Sequence, residues 1–180
     1  MTRHRVLVLG GARSGKSAAA EAMVRRARSV DYIATGEPPD GTDLEWSDRV
    51  LAHRARRPAH WRTTETLDLE AVLGASRTAA PALIDCLTTW LARVMDDCGL
   101  WEARQGAGDE LARRTGRLVS AYQSARRRVV AVSNEVGSGI VPQTASGRRF
   151  RDELGLLNQR IAAASNEVWL CTAGIARRLK

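Results

Sequence analysis

The sequence predicts an α/β fold in which a mostly parallel sheet carries helices on both faces. Short apolar segments alternate with longer helical patterns, as parallel strands and their crossover helices do. The first apolar segment also leads into a glycine-rich turn and then a helix. The chain has 180 residues and is 44 % hydrophobic, enough for one domain with a real core. We therefore expect a single domain over residues 1–180.

The predicted strands are short apolar segments bounded by polar residues, glycine or proline, as buried parallel strands usually are. In chain order they are residues 4–9, 32–34, 61–64, 83–85, 129–133 and 168–171. The predicted helices lie between them, at residues 16–28, 43–57, 87–97, 109–126 and 148–164. Loop residues predict surface loops over 35–42 and 99–108. The arginine run at 126–128 is interpreted as a solvated helix end.

The segment between the first strand and the first helix is a complete G-x-x-x-x-G-K-S phosphate loop. It reads Gly10-Gly11-Ala12-Arg13-Ser14-Gly15-Lys16-Ser17. Glycines let the backbone amides curl around an anion, and the helix N-terminus adds partial positive charge. We expect Lys16 to reach the β- and γ-phosphates of ATP or GTP, and Ser17 to place its hydroxyl on Mg²⁺. The sequence thus predicts a phosphate-loop nucleotide-binding domain.

A second nucleotide element is the apolar strand that ends at Asp85. In phosphate-loop folds such an aspartate lies beside the loop and holds the Mg²⁺ shell, so we expect Asp85 to contact the metal or the nucleotide. The N-K-x-D pattern of regulatory GTPases is absent, and the one D-x-x-G match, at residues 152–155, falls inside a predicted helix. A regulatory GTPase is therefore disfavoured.

His53 lies in an arginine-rich helical segment. Helical spacing places four basic side chains on one face: Arg49, His53, Arg56 and Arg57. Guanidinium groups oppose protonation of the imidazole, and a neutral imidazole beside phosphate-binding arginines could carry a nucleotidyl group. A basic surface helix with an incidental histidine explains the same spacing, since charge runs are usually solvated. Of the other histidines, His4 is expected to be structural, whereas His60 could flank the site.

Charge and composition indicate which partners the protein binds and in which cellular compartment it occurs. The net charge of +8 suits anionic substrates, and the few aromatic residues do not interleave with the basic runs, so we expect no nucleic-acid partner. No apolar run is long enough for stable membrane insertion, and the N-terminus leads directly into the first strand without a signal peptide. Cys86, Cys98 and Cys171 form no C-x-x-C motif, which predicts a reduced, cytoplasmic protein.

Several blocks together resemble one family, the bifunctional adenosylcobinamide kinase/adenosylcobinamide-phosphate guanylyltransferases of cobalamin biosynthesis. The phosphate loop is common to many folds, but the H-R-x-R-R-P block at 53–58 and the N-E-V-G-x-G-I-V-P block at 134–142 are far more particular. Matching residues also occur at 32–35, 59–63, 65, 85–90, 149–152, 155, 158 and 159. These blocks run nearly end to end in the expected order.

The resemblance implies a recombinase-like phosphate-loop fold and a homotrimer whose active site lies near subunit interfaces. It also implies two reactions. The first phosphorylates the aminopropanol hydroxyl of adenosylcobinamide with ATP or GTP. The second transfers GMP from GTP onto adenosylcobinamide phosphate, releases pyrophosphate, and passes through a guanylylated histidine. Carried onto this chain, that histidine is His53.

The resemblance also implies the remaining site residues. His53 and Lys16 would be catalytic, and Ser17 and Asp85 would hold Mg²⁺. The nucleotide site would add to the phosphate loop the residues Ala34, Thr35, Gly36, Arg54, Ala55, Arg56, Arg57, Glu65 and Asp85. Glu135 has two interpretations from the residues alone, a general base for the kinase step or a loop cap through backbone amides.

Two other hypotheses for the function remain open at this point. A phosphate-loop kinase of another small molecule would use Lys16, Ser17 and Asp85 but would leave the histidine–arginine block without a role. A basic, nucleotide-dependent nucleic-acid-binding module would bind with a steep salt dependence. The shortage of aromatic residues that could stack on bases argues against a single-strand binder.

Overall fold

The computed structural model describes residues 4–39, 41–74 and 80–180, apart from the side chains of Trp46 and Arg49. The strands are β1 Arg5–Gly10, β2 Asp31–Ala34, β3 Arg62–Glu65, β4 Ala82–Asp85, β5 Val129–Asn134, β6 Glu167–Thr172 and β7 Ile175–Arg178. The helices are α1 Lys16–Val24, α2 Leu44–Ala55, α3 Leu69–Gly74, α4 Leu87–Asp97, α5 Ala107–Ser124 and α6 Ala145–Ala164.

The strands form one sheet in the order β3-β2-β4-β5-β1-β6-β7. Every neighbouring pair is parallel except β6 and β7, which are antiparallel. Alternate residues of β1 enter different cores: Leu7 packs with α3 to α6, whereas Val6 and Val8 pack with α1. The predicted α/β architecture with helices on both faces is therefore confirmed.

Some boundaries differ from the prediction. The first helix ends at Val24, and α5 already begins at Ala107. Thr35, inside a predicted surface loop, is fully buried. The short helix α3 and the edge strand β7 are not among the predicted elements. β7 is mostly exposed and carries two arginines, so it lacks the apolar pattern of the inner strands.

The interpretation of residues 126–128 as a solvated helix end is wrong for Arg127. Helix α5 ends at Ser124, so the arginine run enters the connection to β5 instead of extending the helix. The Arg127 side chain is 2 % exposed and forms an ion pair with Asp31 of β2. It also donates a hydrogen bond to the carbonyl oxygen of Val72 at 3.0 Å. Arg127 thus links the ends of α3, β2 and β5.

The fold also bears on the cysteines and on membrane insertion. The three cysteines are free thiols, as predicted. Among the described residues, no helix combines the length and the apolar character needed to cross a membrane.

Candidate active site

A cleft of about 550 Å³ lies at the carboxyl ends of the parallel strands, where α/β folds bind ligands. The phosphate loop forms one wall, the ends of β2 and β4 form the floor, and α2 covers it. Most of the predicted site residues line this cleft: Ala12, Arg13, Ser14, Gly15, Lys16, Ser17, Ala34, Gly36, His53, Arg54, Arg56, Arg57, Glu65 and Asp85.

Four predicted site residues lie outside the cleft lining: Gly10, Gly11, Thr35 and Ala55. Gly10 ends β1, and a β-carbon there would lie 2.7 Å from the Cys171 carbonyl oxygen. Ala55 is exposed on the last turn of α2. The Thr35 hydroxyl donates to the carbonyl oxygen of Cys86 at 2.6 Å, so Thr35 shapes the turn between β4 and α4. Their contacts with a nucleotide stay predictions.

The phosphate loop has the free space and the free amides that a phosphate needs. Gly15 precedes α1 with a φ of 90°, and no side chain in the described part of the chain caps the first turn of that helix. A β-carbon built on Gly11 would meet no atom of the described residues within 4 Å. The Lys16 ammonium donates to the Gly11 carbonyl oxygen at 3.1 Å, so it lies across the loop. Uncapped amides at a helix N-terminus beside a lysine fit an oligophosphate.

The Asp85 carboxylate lies between the phosphate loop and α2, with its side chain 9 % exposed. Ser17 Oγ lies 3.4 Å from Oδ1, and Tyr32 Oη donates to Oδ2 at 2.6 Å. Burial alone would raise the pKa of Asp85, but the neighbouring His53 ring and the hydroxyls of Tyr32 and Ser17 outweigh it and lower that pKa. A hydroxyl beside an ionised carboxylate offers the oxygen ligands that Mg²⁺ prefers.

His53 lies in the last turn of α2. Its Nδ1 atom is 3.6 Å from Asp85 Oδ2 and 3.4 Å from Arg56 Nη2, and Arg56 Nη2 is in turn 3.4 Å from Glu21 Oε1. Ligand atoms of Glu21, His53 and Asp85 all lie within 4.8 Å of one another. Two carboxylates therefore lie beside His53 in addition to the arginines that its own helical segment supplies.

The arginines of the H-R-x-R-R-P block contact three different parts of the fold. Arg54 pairs with Glu65 at the end of β3, and Arg56 reaches Glu21 on α1. The Arg57 guanidinium lies over the Tyr32 ring, 3.6 Å from its centroid. These contacts hold α2 over the cleft. The Arg49 side chain, predicted on the same helix face, lies outside the described residues.

Several residues at the cleft carry no predicted role. Tyr32, Cys86, Thr89 and Asn134 line it, and Glu21, outside the lining, lies beside His53 and Asp85. Helical spacing could have indicated Glu21, because it follows Ser17 by one turn of α1. Burial raises the pKa of Tyr32 and the Asp85 charge raises it further, so this phenol stays a hydrogen-bond donor at neutral pH.

The structure also locates the residues whose roles were open. Glu135 Oε1 accepts a hydrogen bond from the Gly137 amide at 2.5 Å, the loop-capping contact, and Glu135 does not line the cleft. His4 Nε2 lies 2.9 Å from Glu167 Oε1, before the start of β1 and therefore at the amino ends of the strands, opposite the cleft. His60 is exposed in the turn before β3 and does not line the cleft.

Comparison with known proteins gives one family over almost the whole chain. Residues 6–179 match the family model described as cobinamide kinase / cobinamide phosphate guanyltransferase. The bifunctional adenosylcobalamin biosynthesis protein CobU of Salmonella typhimurium is 40 % identical, over 97 % of this chain and 99 % of that protein. The protein of the same name from Escherichia coli is 39 % identical with the same coverage. CobP of Pseudomonas aeruginosa is 41 % identical, over 98 % of this chain and 97 % of its own.

Solved structures that resemble this chain share its fold at low sequence identity. An ATPase from the type III secretion system of pathogenic bacteria aligns with a TM-score of 0.58 and 12 % identity, over 94 % of this chain and 51 % of its own. A protein from Pyrococcus horikoshii OT3 aligns with a TM-score of 0.54 and 8 % identity, over 99 % of this chain and 86 % of its own. At these identities the likeness concerns the fold alone.

Proposed function

Because the chain belongs to the cobinamide kinase / cobinamide phosphate guanyltransferase family, we propose that it phosphorylates adenosylcobinamide and then converts the product to adenosylcobinamide-GDP. ATP or GTP supplies the phosphoryl group of the first reaction, and GTP supplies GMP in the second. The observation that carries this proposal is the position of His53, which lines the same cleft as the phosphate loop. A nucleophile for an α-phosphate and a cradle for the other phosphates thus share one cavity.

In the kinase reaction, the aminopropanol hydroxyl attacks the γ-phosphorus while the bond to the β-phosphate oxygen breaks. Lys16 neutralises charge on the β- and γ-phosphates, and the uncapped amides of α1 hold their oxygens. Ser17 and Asp85 would hold Mg²⁺, which when bound neutralises charge that develops on the phosphates. Glu135 caps its own loop and does not line the cleft, so we give it no part in taking the proton of the hydroxyl.

In the transfer reaction, a ring nitrogen of His53 attacks the α-phosphorus of GTP and pyrophosphate leaves. Lys16 stabilises that leaving group. A phosphate oxygen of adenosylcobinamide phosphate then attacks the same phosphorus, and the bond to His53 breaks. Two displacements avoid bringing the anionic acceptor against an intact triphosphate. Arg54, Arg56 and Glu65 would contact the guanine nucleotide, since all three line the cleft.

The family resemblance also motivates a cytoplasmic homotrimer with the cleft near subunit interfaces. Light scattering coupled to size exclusion measures the assembly directly. A mass of three chains supports this part of the proposal, and a monomer at working concentration contradicts it without affecting the proposed chemistry.

Labelling with α-³²P GTP and Mg²⁺ tests the transfer. The wild type should retain label after denaturation, and acid but not alkali should release it, as for a phosphoramidate. His53→Ala should retain none, whereas His60→Ala, altered outside the cleft, should label like the wild type. A folded wild type that binds GTP without labelling contradicts the covalent mechanism. Transfer of γ-³²P to a small molecule would then indicate a phosphate-loop kinase alone.

A further inference from the structure

The two oxygens of the Asp85 carboxylate face different halves of the cleft. Oδ1 lies 3.4 Å from the hydroxyl of Ser17 in the phosphate loop. Oδ2 lies 3.6 Å from His53 Nδ1 and accepts a 2.6 Å hydrogen bond from Tyr32 Oη. Tyr32 therefore fixes the oxygen that faces the nucleophilic histidine.

Strand register explains how Tyr32 reaches Asp85. Tyr32 of β2 pairs with Leu83 of β4, and Ala34 pairs with Asp85. Tyr32 and Asp85 are thus diagonal neighbours on one face of the sheet, within reach of a long aromatic side chain. The Tyr32 ring is itself held in place, because it stacks on Trp61 with ring centroids 6.4 Å apart and is 1 % exposed.

We propose that Tyr32 is a positioning residue for guanylyl transfer: its hydroxyl holds Asp85 Oδ2 where that oxygen accepts the Nδ1 hydrogen of His53. With the hydrogen on Nδ1, the lone pair on Nε2 is available to attack the α-phosphorus. A carboxylate that fixes the tautomer and the orientation of a reactive imidazole is a general device of catalytic and metal sites. This inference rests on the proposed guanylyl transfer.

Arg56 competes with Asp85 for the same ring nitrogen. Its Nη2 lies 3.4 Å from His53 Nδ1 and can only donate, so it favours a ring whose hydrogen is on Nε2. That tautomer has no lone pair on Nε2 for attack. Glu21 lies 3.4 Å from the same Nη2 and attracts Arg56 away from the ring. The hydrogen bond from Tyr32 keeps Asp85 Oδ2 beside Nδ1 and so favours the reactive tautomer, which has its hydrogen on Nδ1.

Replacing Tyr32 by phenylalanine removes only the hydroxyl and keeps the ring that Trp61 and Arg57 contact. At saturating GTP, the first-order rate constant for His53 labelling in Tyr32→Phe should fall by about 10- to 100-fold, as for other partners that orient a reactive group. The GTP concentration at half-maximal rate should change little. The matched control is Tyr122→Phe, which alters a buried hydroxyl 2.9 Å from Ser165 on the other side of the sheet. It should label like the wild type.

A spectroscopic measurement tests the same geometry without turnover. In ¹⁵N NMR of the wild type, the His53 imidazole should show the Nδ1–H tautomer, and Tyr32→Phe should shift it towards Nε2–H. His4 and His60 serve as internal references, since the chain has three histidines. An Nε2–H tautomer in the wild type contradicts the inference, whether or not the variant folds.

The outcomes separate this inference from the function on which it rests. Equal labelling rates in wild type and Tyr32→Phe overturn the role of Tyr32 and leave the transferase in place. Absence of any adduct in the wild type overturns the proposed transfer, and the role of Tyr32 with it.

Discussion

A β-carbon on Gly15 would lie 3.1 Å from the α-carbon of Gly174. Gly15 closes the phosphate loop, and Gly174 lies in the turn between β6 and β7 with a φ of 81°. The Gly174 amide also donates to the carbonyl oxygen of Ser14 at 3.0 Å. The hairpin formed by β6 and β7 therefore packs against the phosphate loop and supports it, a contact that we call the bracing contact.

Gly15→Ala should destabilise the fold and weaken GTP binding. The left-handed backbone of Gly15 costs an alanine about 1–2 kcal/mol, and the new methyl group would press on the Gly174 backbone. Urea unfolding and GTP titration measure the two effects. The matched control is Gly11→Ala in the same loop, where a β-carbon meets open space and the unfolding free energy should change by less than about 0.5 kcal/mol. Equal stability of Gly15→Ala and the wild type would contradict the bracing contact.

The features that could be predicted from the sequence are those that correspond to a short, continuous pattern of residues. The phosphate loop and the buried strand that ends at Asp85 are visible as short patterns, and the inner strands are visible as apolar segments. Strand β7 is not visible as an apolar segment, because it lies at an exposed edge of the sheet. The contact of Tyr32 with Asp85 also leaves no local signal, since it depends on the register of two strands far apart in sequence. The carboxylates beside His53 come from α1 and β4, so helical spacing within α2 cannot indicate them.

Arg127→Met should lower the stability substantially. The Arg127 guanidinium is buried against Asp31, and its removal leaves a largely buried carboxylate whose one remaining ion-pair partner among the described residues is the exposed Arg62 side chain. Breaking a buried pair from one side typically costs about 3–5 kcal/mol. Arg126→Met removes an exposed neighbour of the same run and serves as the control in urea unfolding. Similar midpoints for the two variants would show that the buried pair contributes little.

Substitutions at His53 and Asp85 should separate the two proposed reactions. His53→Asn should abolish guanylyl transfer and keep most of the kinase activity, because only the transfer needs the nucleophile. Asp85→Asn should slow both reactions, by about 10²-fold or more, since one carboxylate faces both Ser17 and His53. Parallel assays with γ- and α-labelled GTP measure the two activities in each variant. A kinase rate unaffected by Asp85→Asn would exclude a role for this carboxylate beside the phosphate loop.

The Cys86 thiol should react slowly although Cys86 lines the cleft. Burial raises the pKa of this thiol, and the neighbouring Asp85 charge raises it further. Because only the thiolate reacts, a raised pKa lowers the rate at pH 7 to 8, and the rate should increase only as the pH rises past about 8.5, the usual value for a thiol. Alkylation by iodoacetamide, followed by mass spectrometry from pH 7 to pH 10, measures this profile in native and denatured protein.

The effect of the Asp85 charge on the Cys86 thiol can be measured by comparing Asp85→Asn with the wild type. Asp85→Asn should lower the pKa of Cys86 towards its usual value and speed its alkylation at pH 8, because one of the two causes of the shift is lost. Cys98, buried after the last turn of α4, should react equally in both proteins. If native Cys86 is alkylated at pH 7 as fast as in denaturant, neither burial nor the Asp85 charge suppresses its thiolate.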